Sequence, residues 1–121
     1  MTLATSRRGK EAEEVAADFL HNKGWKILQK NFRIRSAELD LVGLDNETLV
    51  FVEVKQRSTP GAGLPEEAVD SRKIAKLYQA ASFFLKRNPQ HARRDCRFDV
   101  IAVDGTGSER QLRHLTDVAC L

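Results

Sequence analysis

The stretch Leu49-Val50-Phe51-Val52-Glu53-Val54-Lys55 limits the fold of this chain more than any other. A run so rich in β-branched and aromatic residues reads as a buried central strand. Near its end, however, an acid and a base interrupt it. Side chains alternate along a strand, so Glu53 and Lys55 share a face with Leu49 and Phe51, while Val50, Val52 and Val54 line the other. An unpaired buried charge costs several kcal/mol, so this pair needs a partner, a metal ion or water.

The chain has 121 residues, enough for one domain with its own core, and residues 1–121 are expected to form it with 1–5 frayed. A hydrophobic share of 41% and a charged share of 31% exclude global disorder. No apolar run approaches the length of a membrane span, and the first residues hold no apolar core for a secretory signal. A cytoplasmic location is the expectation. Cys96 and Cys120 form no CxxC or Cys/His cluster and read as buried or idle thiols. His21, His91 and His114 are scattered and read as surface residues, which leaves zinc without ligands. Gly-x-Ser-x-Gly, phosphate-loop and dinucleotide signatures are absent. The net charge of +3 permits a polyanionic partner. Basic residues gather at Arg7-Arg8-Gly9-Lys10, from Lys23 to Arg35, at Arg72-Lys73 with Lys76, and at Arg93-Arg94 with Arg97. They could ring an acidic centre as a phosphate-binding surface, although a solvated mixed-charge surface fits the composition equally well.

Along the chain, Ala12, Val15, Ala16, Phe19 and Leu20 recur at helical spacing, predicting a helix from about Ser6, as N-cap, to Lys23, ended by Gly24. Glu13 falls at the edge of that stripe, whereas Glu11 and Glu14 point away. Trp25 to Arg35 reads as a strand with Asn31 as an irregularity, and Ala37 to Leu44 as a second strand. In the second, Glu38 and Asp40 share one face and Leu39 and Leu41 the other. Asp45-Asn46-Glu47 makes a hairpin turn into the opening strand. Gln56 to Pro65 carries Pro60, Gly61, Gly63 and Pro65 and reads as a loop. A helix follows from Glu66 or Ser71 to Arg87, with Ile74, Leu77, Tyr78, Ala81, Phe84 and Leu85 as its core stripe and Asn88-Pro89 as its stop. Cys96 to Val103 is a strand, and Gln111 to Leu115 a candidate edge strand. The order α-β-β-β-α-β gives an α/β fold with a mixed central sheet flanked by helices. Its right-handed crossover places the fourth strand parallel to the third.

Asp40 and Glu53 lie on neighbouring antiparallel strands, which can bring both carboxylates to one end of the sheet. Carboxylates converging beside a lysine suit a hard divalent cation such as Mg²⁺, which takes oxygen ligands and keeps several waters. Such a cation stabilises charge on a phosphoryl oxygen and acidifies a bound water, and Lys55 could orient that water. The competing reading is structural, with Glu53 and Lys55 forming a salt bridge on an exposed strand end.

Asp40…Glu53-Val54-Lys55 resembles the PD-(D/E)xK nuclease motif. The chain is similar to the small bacterial YraN-like family, with the restriction-endonuclease-like fold, related to archaeal Holliday-junction resolvases. The resemblance runs through Gly9-x-x-x-Glu13, Phe19-Leu20, Gly24, Asn31-x-Arg33, Glu38-Leu39-Asp40-Leu41, Phe51-Val52-Glu53-Val54-Lys55-x-Arg57, Gly63, Val69-x-x-x-Lys73 and Arg97-Phe98-Asp99-Val100. One departure is Ala37, where the family usually has glycine. The resemblance implies metal ligation by Asp40 and Glu53, joined by Glu13 from the first helix, with Mg²⁺ or Mn²⁺ as cofactor and a catalytic role for Lys55. Arg33, Arg57 and Lys73 are then candidates for contact with nucleic acid. The function expected from it is hydrolysis of DNA phosphodiester bonds, with branched or recombining DNA as candidate substrate and a homodimer by analogy with the resolvases. The alternative is a nucleic-acid-binding or adaptor protein that kept the fold without turnover.

Overall fold

Gly24 stops the first helix in a Schellman arrangement. It adopts φ +95°, its N–H bonds the His21 carbonyl at 2.9 Å, and the Trp25 N–H returns to Leu20 at 3.1 Å. The computed structural model describes residues 3–57 and 71–118, with side chains from residue 10 onward except that of Arg57. Helix α1 spans Leu3–Asn22. It therefore starts before Ser6, which lies inside it rather than capping it. No proline interrupts the stretch, and good helix formers on both sides of Gly9 carry the helix through it.

Strands β1 (Lys26–Ile34), β2 (Ala37–Asp45) and β3 (Thr48–Arg57) form an antiparallel meander. Asn46, at φ 55°, supplies the backbone of the two-residue turn between β2 and β3. Strand β3 continues through Gln56 and Arg57, two residues assigned to the loop by sequence, because both pair in register with β4. The rest of that predicted loop, with Gly63, and the helical start at Glu66 lie outside the described residues. Helix α2 (Ser71–Arg87) crosses to β4 (Cys96–Asp104), which runs parallel to β3, and β5 (Gln111–Leu115) closes the edge. The five strands stand in chain order, β1-β2-β3-β4-β5. The result is the expected α/β architecture, a mixed sheet between two helices. Among the described residues no helix is long and apolar enough to cross a membrane.

Each helix buries a separate core. On the α1 face Ala12, Ala16, Ala17 and Leu20 pack with Trp25, Leu41, Val50, Val52, Ile101 and Val103. On the α2 face Leu77, Ala80, Ala81 and Phe84 pack with Phe32, Leu39, Val42, Leu49, Phe51 and Phe98. The Phe84 ring meets Phe32 and Phe51 edge-on, at 5.4 and 5.9 Å between centroids. The buried stripe of α2 is thus turned from the one expected. Tyr78, placed in the core by its spacing, is 41% exposed, because Ala80 lets the helix approach the sheet on the neighbouring side. Its ring still lies against Phe98, at 5.2 Å.

Leu39 and Leu41 correct a second expectation. Regular alternation puts them on one face, yet Leu39 belongs to the α2 core and Leu41 to the α1 core. The partner strand does the same, since Phe32 faces α2 while Lys30, two residues away, borders a cavity beside α1. Asn31, at φ 55°, and Asp40 lie between the Lys30↔Leu41 and Phe32↔Leu39 pairs. Both strands therefore change face at one level. The left-handed backbone of Asn31, a conformation asparagine tolerates better than most residues, makes the change possible.

Candidate metal centre

The antiparallel ladder between β2 and β3 runs from Asp45↔Thr48 to Leu41↔Val52 and stops there. Beyond it, Asp40 uses its side chain instead of its backbone: Oδ2 accepts the Val54 N–H at 2.8 Å. The two strands part at this point, and the carboxylate of Asp40 closes the gap. From α1, half-buried Glu13 reaches the same place while its neighbours Glu11 and Glu14 stay exposed. Glu13, Glu38 and Asp40 offer carboxylate oxygens within 4.8 Å of one another. Such a group suits a hard cation with oxygen ligands.

Like charges this close, partly withdrawn from water, resist ionisation. Burial pushes Asp40 up to about 7; the Val54 N–H opposes this, and the charges of Glu13, Glu53 and Glu38 add to the rise. Burial likewise raises Glu13, against a hydrogen bond from the Asn31 side chain, and the charge of Glu38 adds to it. Asn31 thus both turns its strand and steadies the helix-borne acid. Lys10, Glu13, Glu14, Lys30 and Asn31 line an adjoining cavity of about 240 Å³.

Glu53 sits differently. It shares the α2 face with Leu49 and Phe51, as alternation predicts, and is only 8% exposed. Its Oε1 is 2.7 Å from Lys73 Nζ and 3.8 Å from Lys55 Nζ. Its Oε2 is buried with no hydrogen-bond partner among the described residues. The expected metal set of Asp40, Glu53 and Glu13 is therefore brought together in part. Glu13 and Asp40 join Glu38, whereas Glu53 stands outside that group and holds two lysines.

The residues expected to meet nucleic acid are dispersed around this centre. Arg33 is largely exposed and lies 3.3 Å from Glu38. Arg57 ends β3 opposite Asp104, with its side chain outside the described residues. Lys73 contacts Glu53. Two contributors were not singled out from sequence as site residues, Glu38 and Asn31. The signal for Glu38 was available, since it stands two positions from Asp40, but Asn31 required knowledge of the face change.

The last basic group does not join the centre. Arg94 pairs with Glu47, at 3.1 Å, near the far hairpin turn. Arg97 is held by Asp99 and Asp45, at 3.0 and 2.9 Å. Asp99, 1% exposed, also accepts from the Asp117 N–H at 2.9 Å and meets His114 Nε2 at 2.8 Å. Burial would raise the Asp99 carboxyl, but hydrogen bonds from His114 and Arg97 outweigh it and hold it below the usual range. His114 corrects its assignment to the surface. Its side chain is 6% exposed and packs edge-on against Trp25 at 5.5 Å. Lys23 Nζ lies 3.1 Å from Nδ1; as an ammonium can only donate, Nε2 carries the proton and donates to Asp99. Cys96 is exposed rather than buried, and Cys120 lies outside the described residues.

The fold and the site define an α/β protein with acids from a helix and one strand gathered where the sheet opens, and a buried acid of the next strand beside them. Residues 12–103 match the model of the uncharacterised protein family UPF0102, and the chain belongs to that family. It is similar to a UPF0102 protein of Chlorobium phaeobacteroides, 42% identical over 90% of each chain. One from Pseudomonas savastanoi pv. phaseolicola is 47% identical over 80% of this chain and 79% of its own. Another, from Prosthecochloris aestuarii, is 38% identical over 97% of this chain and 96% of its own.

Proposed function

We propose that the protein is a Mg²⁺- or Mn²⁺-dependent nuclease of the restriction-endonuclease-like type that hydrolyses DNA phosphodiester bonds, with branched DNA as the candidate substrate. The observation that carries this reading is the opening between β2 and β3. There Asp40 caps the Val54 N–H beside Glu13 and Glu38, and the buried Oε2 of Glu53 has no partner among the described residues. A structural salt bridge gains nothing from an orphaned acceptor, whereas a cation would satisfy it. The donors are all carboxylates, the set that Mg²⁺ prefers. Asp40, Glu13 and Glu53 would hold the ion, with Glu38 beside them. When bound, it supplies charge stabilisation at a phosphoryl oxygen and a water of lowered pKa.

The chain's own groups do the rest. Lys55, two residues from Glu53 on the same face, stabilises charge that develops on the phosphate. Val54 fixes the Asp40 carboxylate through its N–H, so that acid needs no reorganisation before reaction. Arg33, Arg57 and Lys73, with Lys10 and Lys30 at the cavity edge, provide cations for the backbone of the nucleic acid. A homodimer is the assembly expected if the substrate is a two-fold junction.

A second reading, a nucleic-acid-binding adaptor without turnover, draws support from the lysines that already neutralise Glu53. One experiment separates the two. Purified protein is incubated with linear, single-stranded and four-way-junction DNA in Mg²⁺ or Mn²⁺, with and without chelator. Chelator-sensitive cleavage lost in Asp40→Asn and in Lys55→Ala supports the nuclease. Cleavage that survives both substitutions would come from a contaminant and would sink the reading. Junction binding without cleavage under either metal would establish the adaptor.

A further inference from the structure

We propose that Lys73 is a built-in counter-ion for Glu53, occupying the carboxylate in the metal-free protein and leaving it when a divalent cation binds. The inference rests on the metal-dependent reading above and concerns how that site is loaded.

Three observations carry it. Among the described residues the nearest cation to Glu53 is not Lys55, its neighbour along the strand, but Lys73 from α2: 2.7 Å against 3.8 Å, both to Oε1. Glu13, Glu38 and Asp40 lie within ligand distance of one another, and Glu53 is not in that group. Finally, the lysines engage Oε1 of Glu53, while Oε2 is buried with no hydrogen-bond partner among the described residues. A carboxylate held by one oxygen, with its second oxygen unsatisfied, is a half-made contact. Turning Glu53 toward Asp40 would complete a four-carboxylate site, and it requires Lys73 to let go.

Lys73 is suited to that role. Its side chain is 38% exposed, and its flexible stem lets the ammonium turn from Glu53 toward solvent. Lys55 is tethered to the same strand as Glu53 and moves with it. An ion pair with one half-exposed partner is weak enough for a divalent cation to displace. It is still strong enough to keep the buried Glu53 from standing alone before the metal arrives. Once displaced, the ammonium can serve an incoming phosphate oxygen. Metal and polyanion binding would then assist each other through one side chain. Lys73 is thus a positioning residue, acting through Glu53.

The test measures binding of Mn²⁺ alone, by electron paramagnetic resonance of the free ion, to the full chain. The variants are Lys73→Met, which keeps a similar stem without charge, Lys73→Arg and Glu53→Gln. Lys73→Met is expected to bind Mn²⁺ about threefold to fivefold more tightly than wild type, the range set by a half-exposed ion pair. Lys73→Arg should return the affinity to that of wild type, and Glu53→Gln should lose most of it. Equal or weaker binding by Lys73→Met would overturn the inference while leaving the metal site standing, and so would an arginine variant as tight as the methionine one. If neither wild type nor Lys73→Met takes up Mn²⁺, the metal-dependent reading falls and the inference with it.

Discussion

Replacing Asp40 with asparagine is expected to stabilise the metal-free protein at pH 8 and to leave it nearly unchanged at pH 4. The folded-state value of Asp40, about 7, lies above its ordinary 3.8. Between those values the native state binds more protons than the unfolded state, so stability falls as the pH rises through that window. Above pH 7 the native protein carries the whole penalty. The gap corresponds to a ceiling of about 4 kcal/mol. Glu13, raised by the same burial, titrates with Asp40 as a coupled pair, so only part of that ceiling belongs to Asp40 alone. A gain of about 2 kcal/mol is the working figure, or about 8 °C in Tm for a domain of this size. Asparagine keeps an oxygen for the Val54 N–H, so the bond that joins β2 to β3 survives. The assay is urea and thermal unfolding in chelator across pH 4 to 8, repeated in saturating Mg²⁺. There the order should reverse, because a ligand that binds only the native wild type stabilises only that protein. A loss of stability at pH 8, or a gain of equal size at every pH, would refute the reasoning.

Glu53→Gln should reduce metal-dependent DNA cleavage by about a hundredfold or more while leaving the far-ultraviolet circular dichroism unchanged, since one site group is lost and the strand is kept. His114→Ala leaves Asp99 buried with one hydrogen bond fewer and removes a ring packed on Trp25. Urea titration should show a loss of about 2–3 kcal/mol. Gly43→Ala places a methyl group 3.1 Å from the Lys26 carbonyl oxygen and 3.2 Å from the Trp25 ring. Because the first contact is backbone, β1 must shift, and unfolding should report a cost of about 1–3 kcal/mol.

The elements were legible because each carried its own local signal. Helix α1 declared itself by its alanine and leucine spacing and by Gly24, and β3 by its apolar run. The parallel placement of β4 followed from the handedness of a crossover. Glu13 could be separated from Glu11 and Glu14 on a helical wheel because a turn of 100° per residue is a property of the backbone alone. Asp40 was legible as a residue level with Glu53, but not as a side chain that replaces a ladder bond. That depends on two strands changing face together at Asn31, and strict alternation, the only rule available from sequence, hides it. The Lys73–Glu53 contact was not legible because it depends on where a crossover helix comes down on the sheet. His114 was misread for the same reason. Nothing near it in the chain announces burial, which comes from Trp25, Phe19 and Asp99 meeting it across the fold.

The strand order, identical to the order along the chain, has a consequence for how the protein acquires its structure. Glu38, Asp40 and Glu53 sit on one hairpin closed by the two-residue turn at Asn46-Glu47, so little loop-closure entropy opposes their meeting. Lys73 and the parallel pairing with β4 depend on the long crossover and are expected to come later. An early folding species would then hold these acids with Lys55 but without the closer cation, Lys73. Mg²⁺ present from the start should lower that repulsion and speed the first refolding phase, and stopped-flow traces indifferent to Mg²⁺ would argue against this sequence of events. On this account the acids that make the site useful in the finished protein are also an obstacle on the way to it.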